Sequence, residues 1–240
     1  MAKRYLIVNA DDFGQSPGIN DGVFEAHEHG IVTSASLMVR WPDALGAVAY
    51  AKEHPDLSLG IHLDFGEWAY RNETWVPVYE VVPDSNIAAV VEEVTRQLES
   101  FRQLVGADPT HIDSHQHVHR DEPLRSYMVE VARRLAVPLR DYSSEVQYCG
   151  YFYGQTAEGS PLPKFISVEG LLNILWQLPP GIMELGCHPG IGDELPDTPY
   201  RSERSKEVEV LCDPQIRTAI MDMGIELCSF SSIAFSSSVS

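Results

Sequence analysis

Apolar positions along this chain alternate between short unbroken runs and stripes at helical spacing. Tyr5, Leu6, Ile7 and Val8 form a run without a polar break. That is the pattern of a strand covered on both faces, as in a parallel sheet. The run stops at Asn9-Ala10-Asp11-Asp12. Ser16-Pro17 then offers an N-cap and a first-turn proline, Ile19, Val23 and Ala26 recur at helical spacing, and Gly30 suits the stop. Residues 34–39 predict a second strand, 42–53 a second helix and 57–63 a third strand that carries His62. Strand, helix, strand, helix, strand implies a parallel sheet with crossover helices.

The rhythm breaks at 64–84, where Trp68, Tyr70, Trp75 and Tyr79 stand among prolines and predict a long aromatic loop. Such a loop is either packed by its own aromatics or a wall on which sugar faces stack, which makes Trp68 and Tyr70 candidates for substrate contact. A long helix capped by Asp84 or Ser85 then runs through Val105 to Gly106. A strand is expected at 110–113, a helix at 123–135, a short strand at 137–140 and a second long loop at 142–165. A helix at 169–177 precedes a strand at 181–187, which ends in His188-Pro189-Gly190. After a loop at 189–200 come a helix at 201–211, another from Asp213-Pro214 to Gly224, and a last strand at 225–230. Residues 236–240 read as a frayed tail. No repeat or linker interrupts the pattern. The expectation is a single α/β domain over 1–240: a distorted or incomplete (β/α) barrel of about seven mainly parallel strands with outer helices.

Length and charge narrow the function. A chain of 240 residues buries a proper core as one domain. Seventeen basic residues against 35 acidic give a formal net charge of −18. That argues against nucleic acids and anionic membranes and fits a neutral or cationic substrate. Cys149, Cys187, Cys212 and Cys228 are scattered without a CxxC. Cys187 and Cys228 could lie close together, but reduced thiols in a cytoplasmic protein are the simpler expectation. The N-terminal apolar run is too short for a signal peptide, and no run approaches membrane-spanning length.

The candidate chemistry gathers at predicted strand ends: Asp11 and Asp12, His62, then Asp113, His115, His117 and His119, and finally His188. Five of the nine histidines fall there, at the rim where α/β barrels build their sites. One carboxylate and two imidazoles suit one divalent ion, Zn²⁺, Co²⁺, Mn²⁺ or Mg²⁺, with positions left for water and substrate. A second carboxylate then serves as general base. Each piece has a plainer explanation. Asp11 and Asp12 could cap a helix, His62 could be a hydrogen-bonded core residue, and the His-x-His-x-His run could be a surface accident. Asp113 could form a turn or orient a ligand histidine, and His188-Pro189-Gly190 could simply end a strand. Their conjunction favours a metal site.

Asn9-Ala-Asp-Asp-Phe-Gly14, Gly60-Ile-His62-Leu63, His111-Ile-Asp-Ser-His-Gln-His-Val-His119 and Cys187-His188-Pro189 resemble, in order, the motifs of the YdjC-like (ChbG/HpnK) carbohydrate deacetylases. The resemblance implies a distorted (β/α) barrel related to the polysaccharide deacetylases. It implies removal of acetyl groups from a small N-acetylated saccharide, chitooligosaccharide-like or related, with Mg²⁺ or Zn²⁺ as the metal. By the same resemblance Asp12, His62 and His115 are the metal ligands and Asp11 the general base. His188, in the matching Cys-His-Pro position, is the candidate acid. His117 and His119 stay open between binding substrate and supporting the ligands. A homodimer is common in such families. Two rivals stand beside this reading: a hydrolase of a phosphoester or cyclic amide on the same barrel, and a non-catalytic metal- or sugar-binding protein.

Overall fold

The apolar run at 5–8 becomes the centre of the sheet. Leu6, Ile7 and Val8 are fully buried, and their strand has neighbours on both edges. The computed structural model describes residues 2–83, 86–192, 194, 198 and 200–233. Strand β1 (Arg4–Phe13) leads into helix α1 (Pro17–Glu28), then β2 (Ser34–Leu37), α2 (Ala44–Glu53) and β3 (Ser58–Leu63). A hairpin of β4 (Gly66–Arg71) and β5 (Thr74–Glu80) precedes α3 (Ile87–Val105), β6 (Ile112–Ser114) and α4 (Leu124–Leu135). The chain ends with β7 (Val146–Cys149), α5 (Val168–Gln177), β8 (Gly181–Cys187), α6 (Ser202–Leu211), α7 (Pro214–Asp222) and β9 (Ile225–Leu227).

The sheet runs β6-β3-β2-β1-β8-β7, every neighbour parallel. Strand β9 joins it on β1. Arg4–Leu6 pair with Ile225–Leu227, whereas Asn9, Ala10 and Phe13 pair with β2, so β9 and β2 share one edge of β1 end to end. Among the described residues this makes seven parallel strands, curled into a half-barrel with helices around it: a distorted (β/α) barrel. The helices begin where side chains satisfy free backbone N–H groups. Ser16 accepts from the Ile19 N–H, Ser167 from Gly170 and Asp213 from Gln215. Their apolar stripes meet the sheet in one core that includes Phe13, Ile19, Leu37, Val94, Phe101 and Met128.

Several elements differ from the sequence expectation. The stretch 64–84 is largely the β4–β5 hairpin rather than a loop. Asn72 and Glu73, both with positive φ, turn it as a hairpin turn requires, without the glycine that usually announces one. Pro77 is tolerated because β5 is an edge strand. The strand expected at 137–140 shrinks to one bridge between Leu139 and Ile112, since Pro138 has no N–H to give. Its place in the sheet's strand count goes to β7, inside the expected loop at 142–165. The last strand ends at Leu227 instead of 230, and β1 runs on through the carboxylates to Phe13. The caps expected at Asp84 or Ser85 and the tail at 236–240 lie outside the described residues; Asn86 caps α3 by accepting from the Ala89 N–H.

Helix α1 packs closely on the segment after β8. A Cβ added at Gly22 would lie 2.4 Å from both the N and the Cα of Gly190. Gly22→Ala is therefore expected to destabilise by about 2 kcal/mol, a fall in Tm of roughly 5 °C for a chain of this size. An unchanged Tm in a thermal melt would show that the 189–190 backbone yields freely.

Candidate active site

Along a regular strand, adjacent side chains point to opposite faces, so Asp11 and Asp12 would be separated. Here the β1–β2 register slips between Ala10 and Phe13, and Asp12 adopts a φ of 63°. This bulge brings both carboxylates into one buried cluster at the C-terminal edge of the sheet. Aspartate is among the few residues that enter the left-handed region readily.

Asp12 turns toward imidazoles. Its Oδ1 lies 3.0 Å from His115 Nδ1 and 3.3 Å from His62 Nε2, while Arg204 Nη2 donates to Oδ2 at 2.6 Å. His62 Nδ1 lies 2.7 Å from Asp113 Oδ1. Burial would raise the Asp12 pKa, but Arg204 and then His115 hold it well below the usual carboxylate range. Burial likewise opposes charge on the two histidines. Asp113 and Asp11 outweigh it at His62, which is raised well above its ordinary value, and Asp12 lifts His115 to about 9. The cluster thus favours positive charge beside Asp12, which a divalent cation would also supply.

The residues fit such a cation. Asp12, His62 and His115 each offer a ligand atom, all within 4.8 Å of one another. Atoms held at about 2.1 Å by one ion lie about 3 Å apart along the edges of an octahedron, close to the spacings seen around Asp12 Oδ1. With Asp113 accepting at Nδ1, His62 presents Nε2 as the free donor atom. His115 keeps a buried Nε2 with no hydrogen-bond partner.

Asp11 turns toward arginine. Arg140 Nη1 donates to its Oδ2 at 2.6 Å and Nη2 to its Oδ1 at 2.7 Å. Asn9 Nδ2 donates to the same Oδ1 and also to Ser36, whose hydroxyl donates to Asp113. Arg140 also contacts Asp113 and Glu184, so three carboxylates surround one buried guanidinium. His188 Nε2 lies 3.7 Å from Asp11 Oδ2. Burial pushes the His188 pKa down to about 4 against the pull of Asp11 and Asp12, which leaves the ring neutral at pH 7 with a buried, unpartnered Nδ1.

The histidine run forms an irregular turn, His115–Arg120, in which Gln116 and His117 both have positive φ. The turn sends its histidines to different places. His115 and His117 line a cavity of about 1280 Å³ together with Asp12, His188, Arg204, Trp68 and Trp75. Burial, then Arg140, pushes His117 far below its ordinary pKa, and its Nδ1 is buried without a partner. His119 does not line the cavity: its Nδ1 meets Ser114 Oγ at 2.7 Å and its Nε2 meets the Arg140 carbonyl at 3.2 Å. With both nitrogens engaged, it supports the Arg140 backbone. Tyr70 is also outside the lining, tilted against Trp75 on the hairpin.

On the sequence alone the cations have no place in the site: Arg140 counts only among the few basic residues that a phosphoester site would need. Arg140 had a signal, since it closes the segment expected as a strand at 137–140. Arg204 had none that a pattern reveals: α6 buries Glu203, Arg204 and Glu207 alongside Val208, Val210 and Leu211, so charged residues share the face that is usually apolar. Glu207 accepts from the His188 N–H and from the Tyr200 hydroxyl.

Comparison with known proteins follows the same lines. A family model described as YdjC-like protein matches residues 5–222. The chain is 34% identical over 263 residues to a carbohydrate deacetylase of Brevibacillus brevis, covering 95% of this chain and 99% of that one. It is 29% identical to a chitooligosaccharide deacetylase of Serratia marcescens, covering 95% and 98%. A crystal structure of an Enterococcus faecalis V583 protein superimposes with a TM-score of 0.78 at 27% identity, covering 98% of this chain and 100% of that one.

Burial raises Glu184 to about 7 despite Arg140. A carboxyl whose folded pKa is raised makes its full contribution to stability below its unfolded pKa, about 4.3, and loses it as pH rises through the folded value. Glu184→Gln removes this dependence. The urea midpoint of the wild type is expected to fall relative to that of the variant between about pH 4.5 and 7. Parallel profiles would mean that Arg140 compensates Glu184 fully.

Proposed function

The chain belongs to the YdjC-like protein family, and on that premise we propose that it is a carbohydrate N-deacetylase dependent on a divalent metal. The carrying observation is the pair of adjacent carboxylates held in opposite ways. Asp12 faces His62 and His115, whereas Asp11 is clamped by Arg140 within 3.7 Å of His188. Two like acids in unlike environments take separate roles.

Asp12, His62 and His115 would hold the ion, Zn²⁺ or Mg²⁺, with Mn²⁺ and Co²⁺ as alternatives. When bound, such an ion supplies Lewis acidity, which acidifies water and polarises an amide carbonyl. Asp11 is the general base. Its two bonds from Arg140 fix the carboxylate plane, so it meets the water from which it takes a proton in one orientation. His188 is neutral at rest, so it must be loaded before it acts as an acid. Asp11 Oδ2 is its nearby proton source, and the loaded ring then protonates the leaving nitrogen as acetate departs. Trp68 and Trp75 offer faces for sugar rings, with His117 as a neutral polar group lining the same cavity.

The relatives' names support an N-acetylated saccharide, chitooligosaccharide-like or related. The cavity volume and the net charge of −18 suit a neutral or cationic sugar. A phosphoester fits less well, because the cavity-lining arginines Arg120 and Arg204 are each paired with an aspartate. A cytoplasmic location belongs to the same reading. Its support is four free cysteines, and no helix among the described residues is long and apolar enough to cross a membrane.

The test is acetate release from N-acetylglucosamine and chitooligosaccharides by protein stripped of metal and reloaded with single ions. Metal-dependent release is expected; tight metal binding without release of acetate would overturn the deacetylase reading. Asp11→Asn is expected to lower turnover about 10³-fold with metal content unchanged, and retained turnover would remove Asp11 from the base role. His115→Ala is expected to lose metal and activity together, whereas unchanged metal content would move the ligand to His117. Because the metal must displace a proton from His115, whose pKa is about 9, apparent metal affinity is expected to rise from pH 7 to about 9. Calorimetric titration across that range checks the slope.

A further inference from the structure

We infer that the β4–β5 hairpin belongs to the metal site as well as to the cavity wall. Glu67 is a positioning residue for His115, and Gln116 is the latch that holds the hairpin in place. The inference rests on the reading of Asp12, His62 and His115 as metal ligands.

Gln116 follows His115 directly and carries a φ of 50°. Its side-chain amide makes two hydrogen bonds with one residue of the hairpin. The Trp68 N–H donates to Gln116 Oε1 at 2.9 Å, and Gln116 Nε2 donates to the Trp68 carbonyl at 2.8 Å. A neighbouring strand would make the same pair of bonds. The contact falls where the β4–β5 register slips, between Glu67 and Trp68, so the amide satisfies backbone groups at an irregular point of the ladder. Among side chains only a carboxamide supplies both the donor and the acceptor in this geometry.

This latch sets the distance between the hairpin and the turn that carries His115. Glu67, nearly buried at 6% exposure, places Oε2 3.8 Å from His115 Nε2. That nitrogen is a buried polar atom with no hydrogen-bond partner, while Nδ1 of the same ring faces Asp12 at 3.0 Å. A neutral imidazole that gives Nδ1 to a cation carries its proton on Nε2. Glu67 is placed to accept it, with a small side-chain rotation closing the gap. His62 already has such a carboxylate in Asp113, at 2.7 Å. Glu67 therefore completes a symmetrical pattern in which each ligand histidine is oriented by an acid behind it. The same strand carries Trp68 into the cavity, so one hairpin serves both the sugar wall and the metal.

The experiment compares wild type, Glu67→Gln, Gln116→Ala and the double variant, each stripped of metal and titrated with Zn²⁺ against a competing chelator. Glu67→Gln is expected to weaken Zn²⁺ binding about 10- to 100-fold, with the Tm of the metal-free protein unchanged. Gln116→Ala is expected to weaken it in the same direction although Gln116 touches neither the ion nor a ligand atom. The double variant is expected to bind no more weakly than Glu67→Gln alone, because both changes act through one interaction. If Gln116→Ala lowers the metal-free Tm, Gln116→Glu takes its place, since it keeps the bulk and removes the donor to the Trp68 carbonyl. Wild-type affinity in Glu67→Gln would overturn this inference alone and leave the metal reading standing. Fully additive losses would overturn the latch. A wild type that binds no metal would overturn the metal reading and this inference with it.

Discussion

Two carboxylates buried side by side at the end of the central strand are the constraint on which the rest depends. Asp11 and Asp12 are 2% and 1% exposed, and unpaired buried charges are too costly for a fold to carry. Each has its own arginine. Arg140 comes from the segment after α4 and Arg204 from α6. The middle and the last third of the chain are thereby drawn to the end of its first strand. Removing one partner of such a pair typically costs about 3–5 kcal/mol, because the other is left as a buried, uncompensated charge. The polar inner face of α6, unusual for a helix against a sheet, follows from that need.

The two pairs also divide the labour. Arg140 binds both oxygens of Asp11 and leaves it facing His188. Arg204 binds one oxygen of Asp12 and leaves the other to two imidazoles. Backbone strain gathers around the same point: Asp12, Gln116, His117 and Asp141 all adopt positive φ. Such conformations persist only where surrounding contacts over-determine them, and here buried ion pairs and the Gln116 amide supply those contacts. His119 works from beneath, holding the Arg140 carbonyl with a nitrogen that the sequence pattern offers equally to substrate.

The sheet was legible where a strand is local. The run at 5–8, the His62 strand and the segment before His188 all form as their patterns predict. Reading failed where pairing is not local. The hairpin at 66–80 lacks a glycine at its turn, and β7 is a four-residue strand without an apolar run. The segment 137–140 looked like a strand by composition, but a proline limits it to one bridge. Tyr70 and Trp68 are indistinguishable in sequence; in the hairpin Trp68 lines the cavity, whereas Tyr70 packs against the cavity-lining Trp75 without lining it itself.

The sequence by itself determined which side chains would gather. Alternating strands and helices impose a parallel sheet, and a parallel sheet collects its strand ends at one edge, which is where Asp11, Asp12, His62, Asp113, His115 and His188 stand. Tertiary structure alone decided how they face one another. The bulge at Asp12 depends on the register with β2, and Glu67 comes within reach of His115 through one glutamine. The arginines that make the buried acids tolerable lie 129 and 192 residues from their partners. Periodicity is a property of a few neighbouring residues, whereas charge compensation depends on distance in space, and only the folded chain sets that distance.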